Sequence, residues 1–399
     1  MGKINQAVIF AGGLGERLKP FTETNPKPMY PFYGKPFIAY LVEQIVSWGI
    51  EDIVILLGYL PEKVTEYLGD GSNYGAKITY CITPVEYDTQ FRLKAAEEYL
   101  QDEFLMMYCD NYCPINFGRL VQAYENSGAW IQFTAYANKD GYTKNNLKIA
   151  PDGCVEAYDK KRLMDNLQGV DIGYAIVSKQ VLSLMSDQNE NFEAVVYPKL
   201  VEQKKLYATV TEHRYYSIGS FERIKLTEEF LSDQKYIFLD RDGTLNERAP
   251  KAEYIEKPED FVWLPGAREA VKKLKDAGYF IILISNQAGI ARGRLTDESL
   301  AVIHEKMQDD LLKIDAGIDA IYYCPHGWDS DCFCRKPKPG MLYQAQKDYS
   351  INLTKCALIG DDERDIQTAE AADVRGILVN EEYTLLDAVN DLLQGKCIS

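Results

Sequence analysis

The chain has 399 residues, 46% of them apolar and 26% charged, with a formal net charge of −16. That length predicts two domains, each able to bury its own core, and the acidic balance argues against general nucleic-acid binding, whose footprint is basic. No apolar run is long enough to span a bilayer, and the start, Met1 to Gln6, lacks the apolar core of a signal peptide, which predicts a cytoplasmic protein. Nine cysteines in such a protein predict no disulfides and direct attention to metal-ligand spacing. With three histidines in the chain, His213, His304 and His326, there is little room for histidine catalysis.

Ala7-Val8-Ile9-Phe10 reads as a short buried strand, followed by Ala11-Gly12-Gly13-Leu14-Gly15-Glu16-Arg17. The glycines let backbone N–H groups approach an anion, and Arg17 adds positive charge beside them. Asn25-Pro26-Lys27-Pro28 then holds Lys27 between two prolines that restrict its backbone. Tyr33 to Phe37 is a turn opening a helix through Trp48, and Ile53 to Tyr59 is the next apolar strand. Phe104 to Tyr108 is another, ending near Asp110.

The G-G-x-G-x-R loop with P-K-P about ten residues on resembles the sugar-1-phosphate nucleotidyltransferases, over the whole first half. The resemblance implies that Gly12, Gly13 and Gly15 cradle a nucleoside triphosphate, that Arg17 and Lys27 neutralise its phosphates, and that Asp110 binds Mg²⁺. It also implies that Lys161 contacts the sugar phosphate and Asp171 the sugar hydroxyls. The chain departs from the family pattern at Thr83 to Arg92, where a glycine-rich loop is usual. It departs again at Lys160, in place of a sugar-binding Glu, and at Ser217, in place of a second metal-binding Asp. A hydroxyl is a poorer Mg²⁺ ligand than a carboxylate.

Phe221 to Leu231 predicts a helix with apolar residues at 221, 224, 226 and 230 on roughly one face. The polar junction Ser232-Asp233-Gln234-Lys235 sets the predicted boundary, giving domains 1–232 and 233–399. The second half repeats one pattern, an apolar strand with a chemically active residue at its end. Tyr236 to Leu239 leads to Asp240-Arg241-Asp242-Gly243-Thr244. Phe280 to Ile284 leads to Ser285-Asn286-Gln287, and Cys356 to Gly360 leads to Asp361-Asp362, with Asp365 a turn later. Lys336 lies between them in Arg335-Lys336-Pro337. Ligands of open parallel sheets bind at such strand ends.

D-x-D-G-T, then Ser, then Lys, then G-D-D-x-x-x-D, in this order, resembles the haloacid dehalogenase-like phosphatases. The expected fold is therefore α/β with two Rossmann-like domains, a nucleotidyltransferase fold followed by a haloacid dehalogenase-like fold. In that chemistry Asp240 attacks phosphorus as nucleophile. Asp242 serves as general acid and then base. Ser285 and Lys336 hold the phosphoryl oxygens. Asp240, Asp361 and the Asp242 carbonyl hold Mg²⁺, and Asn286 and Arg335 contact substrate. Cys324, His326, Cys332 and Cys334 supply three thiolates and an imidazole within eleven residues, a set suited to structural zinc. The zinc loop runs directly into Arg335 and Lys336. The pattern resembles the heptose-bisphosphate phosphatases and their histidinol-phosphatase relatives. Cys81, Cys109, Cys113, Cys154, Cys356 and Cys397 are assigned to packing or surface.

Together the resemblances imply two consecutive steps of nucleotide-activated heptose synthesis. Heptose 1,7-bisphosphate loses its 7-phosphate, and heptose 1-phosphate then reacts with a nucleoside triphosphate, GTP first, releasing pyrophosphate. Expected partners are that triphosphate and a phosphorylated sugar, with no nucleic acid and no membrane; a homo-oligomer is allowed. Two other readings stay open. In one, only the phosphatase works and the first half is a binding module. In the other, both chemistries act on a different phosphorylated sugar or polyol.

Overall fold

The computed structural model describes residues 4–250 and 253–396, so Cys397 and the first three residues lie outside it. The chain divides into two compact units between Leu231 and Ser232.

The N-terminal unit is built on a seven-stranded sheet. Across it the strands run Leu206–Thr211, Ile131–Tyr136, Val170–Ser178, Glu103–Tyr108, Gln6–Ala11, Asp52–Leu57 and Lys77–Ile82. All neighbours pair in parallel except around Val170–Ser178, which is antiparallel to both of its partners. The interior strand Gln6–Ala11 is buried at every position, as expected for a strand covered on both faces. Alternate residues feed the two cores: Ala7, Ile9 and Ala11 pack with the Phe37–Ser47 helix, while Val8 and Phe10 pack with Leu56, Met106 and Phe133. The Phe221–Phe230 helix buries Ile224, Thr227 and Phe230, but Phe221 is exposed. Phe221 opens the first turn behind the Ser220 cap, so the apolar face begins one turn later than its sequence pattern suggests.

The C-terminal unit has five parallel strands, in the order Ala320–Cys324, Tyr279–Asn286, Lys235–Leu239, Ala357–Gly360 and Arg375–Leu378. Lys235–Leu239 lies at the centre, with Ile237 and Leu239 facing one core and Phe238 the other. The three strands that end in Asp240, Ser285 and Asp361 are thus adjacent, which places those side chains at one rim. Among the described residues, no helix is long and apolar enough to cross a membrane.

Candidate active sites

In the C-terminal unit a cleft of about 480 Å³ opens at the strand ends, lined by Asp240, Asp242, Ser285, Asn286, Arg335 and Lys336 among others. Lys336 is almost fully buried and spends its three protons on the Asp240 Oδ1 (2.6 Å), the Asp365 Oδ1 (2.5 Å) and the Ile284 carbonyl (3.3 Å). Burial pushes the Asp240 carboxyl up to about 7, against the pull of Lys336. Burial alone would lower the Lys336 ammonium, yet Asp240 and Asp365 hold it above its ordinary value.

The oxygens of Asp240, Asp361 and Asp365 lie within 4.8 Å of one another. Asp361 is reached from the rim by Arg248 (2.8 Å), and its own carboxyl is raised by burial. Three acids so close, with one fully buried ammonium, fit a divalent cation, which hard carboxylate oxygens favour. Gly243 makes the approach feasible. Its φ of +98° is left-handed, and a Cβ there would meet the Asp361 Oδ2 at 1.9 Å.

The Asp242 carboxylate is not part of that cluster. It turns instead to Arg241 Nε and Nη2, Asn246 Nδ2 and Gln287 Nε2, and its backbone carbonyl is approached by Arg248. Burial would raise its pKa, but Arg241 and these hydrogen bonds outweigh burial and hold it below the ordinary carboxylate value. Arg241 is 1% exposed and sets its Nη1 against the His304 Nε2 at 3.3 Å. Burial, then Arg241, lowers His304 to about 4, so its neutral ring can accept that bond. Asn286 also holds the Lys336 backbone. Its Nδ2 donates to the Lys336 carbonyl and its Oδ1 accepts from the Lys336 N, each at 3.1 Å.

Beside this cleft stand Cys324, His326, Cys332 and Cys334. Sulfur and imidazole atoms are 3.6 Å apart between Cys324 and His326, 3.6 Å between Cys324 and Cys332, and 3.3 Å between His326 and Cys334. A tetrahedron with Zn–S bonds of about 2.3 Å has S–S edges of about 3.8 Å, so the donors fit one small cation. Burial and the neighbouring sulfurs push the Cys334 thiol up to about 12. Arg335 Nη1 donates to the His326 carbonyl at 3.2 Å, tying the loop to the cleft.

In the N-terminal unit a second cleft, of about 610 Å³, is lined by Gly12, Gly13, Gly15, Arg17, Lys27, Asp110 and residues of the 85–92 segment. Lys27 Nζ lies 2.6 Å from the Asp110 Oδ2. Ser217 is buried and pairs with Asn111, and the next amide, Ile218 N, donates to the Asp110 carbonyl at 3.0 Å. Lys161 and Asp171 are not among the residues lining this cleft. Lys161 stands in an exposed turn wrapped on Asp159. Asp171 sits at a register shift of its strand and accepts from the Gly173 N at 2.9 Å; burial and then Glu193 raise it to about 7.

The family models that match are Nucleotidyl transferase over residues 6–147 and Polynucleotide kinase 3 phosphatase over residues 235–375. A D-glycero-beta-D-manno-heptose-1,7-bisphosphate 7-phosphatase of Bordetella bronchiseptica is 38% identical over 138 residues, covering 35% of this chain and 76% of the relative. By its C-terminal half the chain belongs to the heptose-bisphosphate 7-phosphatases. A Photorhabdus laumondii relative named for the alpha anomer is 40% identical over 147 residues, covering 35% of this chain and 79% of its own length. At the N-terminus, over residues 6–147, the chain carries a nucleotidyl transferase domain. A Bacillus anthracis structure assigned as a glucose-1-phosphate thymidylyltransferase shares its fold, with a TM-score of 0.51 and 18% identity over 57% of this chain and 95% of that one.

Within the phosphatase half, Arg241, Gln287, His304 and Asp365 join the site without a role in the sequence pattern. For Arg241 the one local signal is its place inside D-x-D, and nothing local marks its burial. In the transferase domain Arg92 is unmarked in the same way. That guanidinium is 4% exposed and donates to the carbonyls of Gly12, Leu57 and Val85 and to the Thr83 hydroxyl. Gly12 lacks a side chain for this reason as much as for any phosphate, since a Cβ would sit 2.4 Å from Arg92 Nη1. Gly13 has open space around it.

Two outcomes follow from these contacts. Gly12→Ala should lower the melting temperature and deplete nucleotide binding. Gly12→Ala with Arg92→Ala should cost less than the two single changes added together, measured by thermal unfolding in a double-mutant cycle. For Asp171, the folded state keeps a proton up to about pH 7 that the unfolded chain releases near pH 4, so its contribution to stability falls as pH rises through that window. Asp171→Asn keeps the oxygen that accepts from Gly173. It should raise the melting temperature by more at about pH 8 than at about pH 5.

Proposed function

We propose that the chain is a bifunctional enzyme that removes the 7-phosphate from a heptose 1,7-bisphosphate and joins heptose 1-phosphate to a nucleotide, GMP from GTP in the first instance. The reading is carried by the buried Asp240–Lys336–Asp365 group beside Ser285, at the strand ends of a domain from a 7-phosphatase family.

In the first step the Asp240 oxygen bonds to phosphorus as the bond to the sugar C7 oxygen breaks, and Asp242 gives that oxygen its proton. In the second, Asp242 takes a proton from water, whose oxygen displaces Asp240 and yields inorganic phosphate. The two proton transfers cancel over the cycle. Lys336 and Ser285 hold the phosphoryl oxygens while charge builds on them, and Arg335 and Asn286 contact the rest of the substrate. The Arg241 guanidinium favours the ionised Asp242 needed for the second step. Mg²⁺ held by Asp240, Asp361 and the Asp242 carbonyl, within reach of Asp365, would supply charge neutralisation at phosphorus.

In the transferase domain the attacking group is the sugar phosphate's own oxygen, so positioning and charge neutralisation carry the reaction. Gly12, Gly13 and Gly15 present backbone N–H groups, and Arg17 and Lys27 meet the phosphates. Asp110 would hold Mg²⁺, and Lys161 and Asp171 the sugar, once the 159–171 segment meets it. GTP rests on motif resemblance. The relatives are named for both anomers, so the anomer stays open. Ser217, a hydroxyl where a second metal-binding carboxylate is usual, favours a second reading in which this half binds nucleotide or sugar without turnover.

A reciprocal pair of variants tests both halves. Asp240→Asn should abolish phosphate release and leave nucleotide binding intact. Asp110→Ala should abolish pyrophosphate release from triphosphate and heptose 1-phosphate and leave the phosphatase untouched. Pyrophosphate release unchanged in Asp110→Ala would remove the metal assignment, and none in the unaltered protein would leave the binding-module reading.

Zinc gives an independent check. Protein purified without chelator should carry one zinc per chain by metal analysis, and Cys332→Ser should carry none. Loss of zinc should weaken phosphate release by loosening Arg335 and Lys336.

A further inference from the structure

We propose that Gln287 is a positioning residue for the phosphatase: its side-chain amide fixes the orientation of the Asp242 carboxylate for proton transfer and sets it in register with Ser285. This rests on the phosphatase reading above.

Gln287 follows the Tyr279–Asn286 strand and is 2% exposed. Its backbone N donates to the Cys324 carbonyl at 2.8 Å, anchoring it to the neighbouring strand. Its Nε2 donates to the Asp242 Oδ2 at 3.0 Å and to the Ser285 Oγ at 2.7 Å, while its Oε1 accepts from Arg241 Nη2 at 3.3 Å. An amide has two protons on nitrogen and one acceptor oxygen, so every polar group of this side chain is committed. Its orientation is fixed by charge. Turned over, the amide would set its oxygen against the Asp242 carboxylate and its NH₂ against the Arg241 guanidinium.

Three side chains share the carboxylate. Asp242 Oδ1 receives Arg241 Nε and Nη2 and Asn246 Nδ2. Oδ2 receives Arg241 Nε at 3.2 Å and Gln287, and Arg241 Nη2 lies 3.0 Å from it. Arg241 therefore spans both oxygens, Asn246 holds Oδ1 only, and Gln287 adds a second hold on Oδ2 from the side of Ser285. Among the described residues that hold Asp242, Gln287 alone also hydrogen-bonds to Ser285, a residue assigned to the phosphoryl oxygens. Proton transfer requires the carboxylate oxygen within hydrogen-bond reach of the leaving oxygen. The phosphoryl group and the carboxylate that serves it are thus set by one amide.

A merely structural Gln287 would slow every substrate alike, whereas a positioning residue matters most where the leaving group needs a proton. The test compares the full chain with Gln287→Met, which keeps volume and removes the polar atoms, and with Gln287→Glu, which keeps shape and sets a second carboxylate beside Asp242. Substrates are heptose 1,7-bisphosphate, whose alkoxide must be protonated, and p-nitrophenyl phosphate, whose phenolate leaves without help. For both variants, kcat on the bisphosphate should fall about 100-fold with KM unchanged. The first-turnover burst of nitrophenol should keep its rate while later turnovers slow, and for Gln287→Met the melting temperature should hold. A nitrophenol burst slowed as much as turnover of the bisphosphate, or an unchanged kcat on the bisphosphate, would overturn the proposal. If the unaltered chain refuses the aryl ester, the kcat-against-KM split on the bisphosphate decides. An unaltered chain that releases phosphate from neither substrate would instead remove the phosphatase reading itself.

Discussion

Burying like charges at the end of a parallel sheet is the constraint around which the C-terminal half is built. Asp240 and Asp365 are both almost fully buried, and Lys336 stands between them at 2.6 and 2.5 Å. Two carboxylates so placed cannot both stay ionised in a low-dielectric setting without a shared cation. Breaking a buried pair of this kind costs about 3–5 kcal/mol, because the remaining charge has no compensation. Lys336 therefore belongs to the fold as much as to the chemistry. Its backbone is fixed accordingly, by the reciprocal bonds of Asn286, and it follows directly on a Cys/His loop whose four donors converge.

Seen this way, the end of the Tyr279–Asn286 strand is a clamp of three consecutive residues. Ser285 offers a hydroxyl into the cleft, Asn286 holds the Lys336 backbone, and Gln287 bonds to Asp242. A strand alternates its side chains between faces, so three neighbours can serve one site only where the strand ends and its pleat relaxes. The site sits at the strand end because that is where the geometry permits it.

The strand-end acids and the glycine loop were legible in the sequence because each follows a run of buried apolar residues. An apolar run of that length fixes where the chain leaves the sheet, and hence which residues meet at the rim. The donors Cys324, His326, Cys332 and Cys334 were legible for a different reason, their close spacing. What stayed hidden were partners distant in sequence. Arg92 joins Gly12 and Leu57 across 80 and 35 positions, and Arg241 meets His304 across 63. A buried arginine carries no local signature, since its burial depends on carbonyls that tertiary structure assembles. The Ala320–Cys324 strand was missed because it is an edge strand, half-buried along most of its length. Lys161 and Asp171 were placed by resemblance to a substrate-facing segment, and neither lines the glycine-loop cleft, because an exposed turn and a strand irregularity set their positions.

Each half pairs a lysine with an acid assigned to a divalent metal, but the two pairs differ in what they can tolerate. Lys336 and Asp240 have side chains 5% and 8% exposed, whereas Lys27 and Asp110 are 12% and 32% exposed. A partly solvated pair is worth little, because water screens both charges and competes for their hydrogen bonds. On the proposed reading, Lys27 and Asp110 can therefore separate cheaply to meet a metal–triphosphate complex. The buried pair cannot separate without stranding a charge, so the phosphatase site must be arranged before substrate enters. On the proposed reading, a donor that arrives with its metal suits a site that rearranges, and a bond formed to Asp240 suits a site held rigid. The difference in burial between these two ion pairs is the physical form of that division.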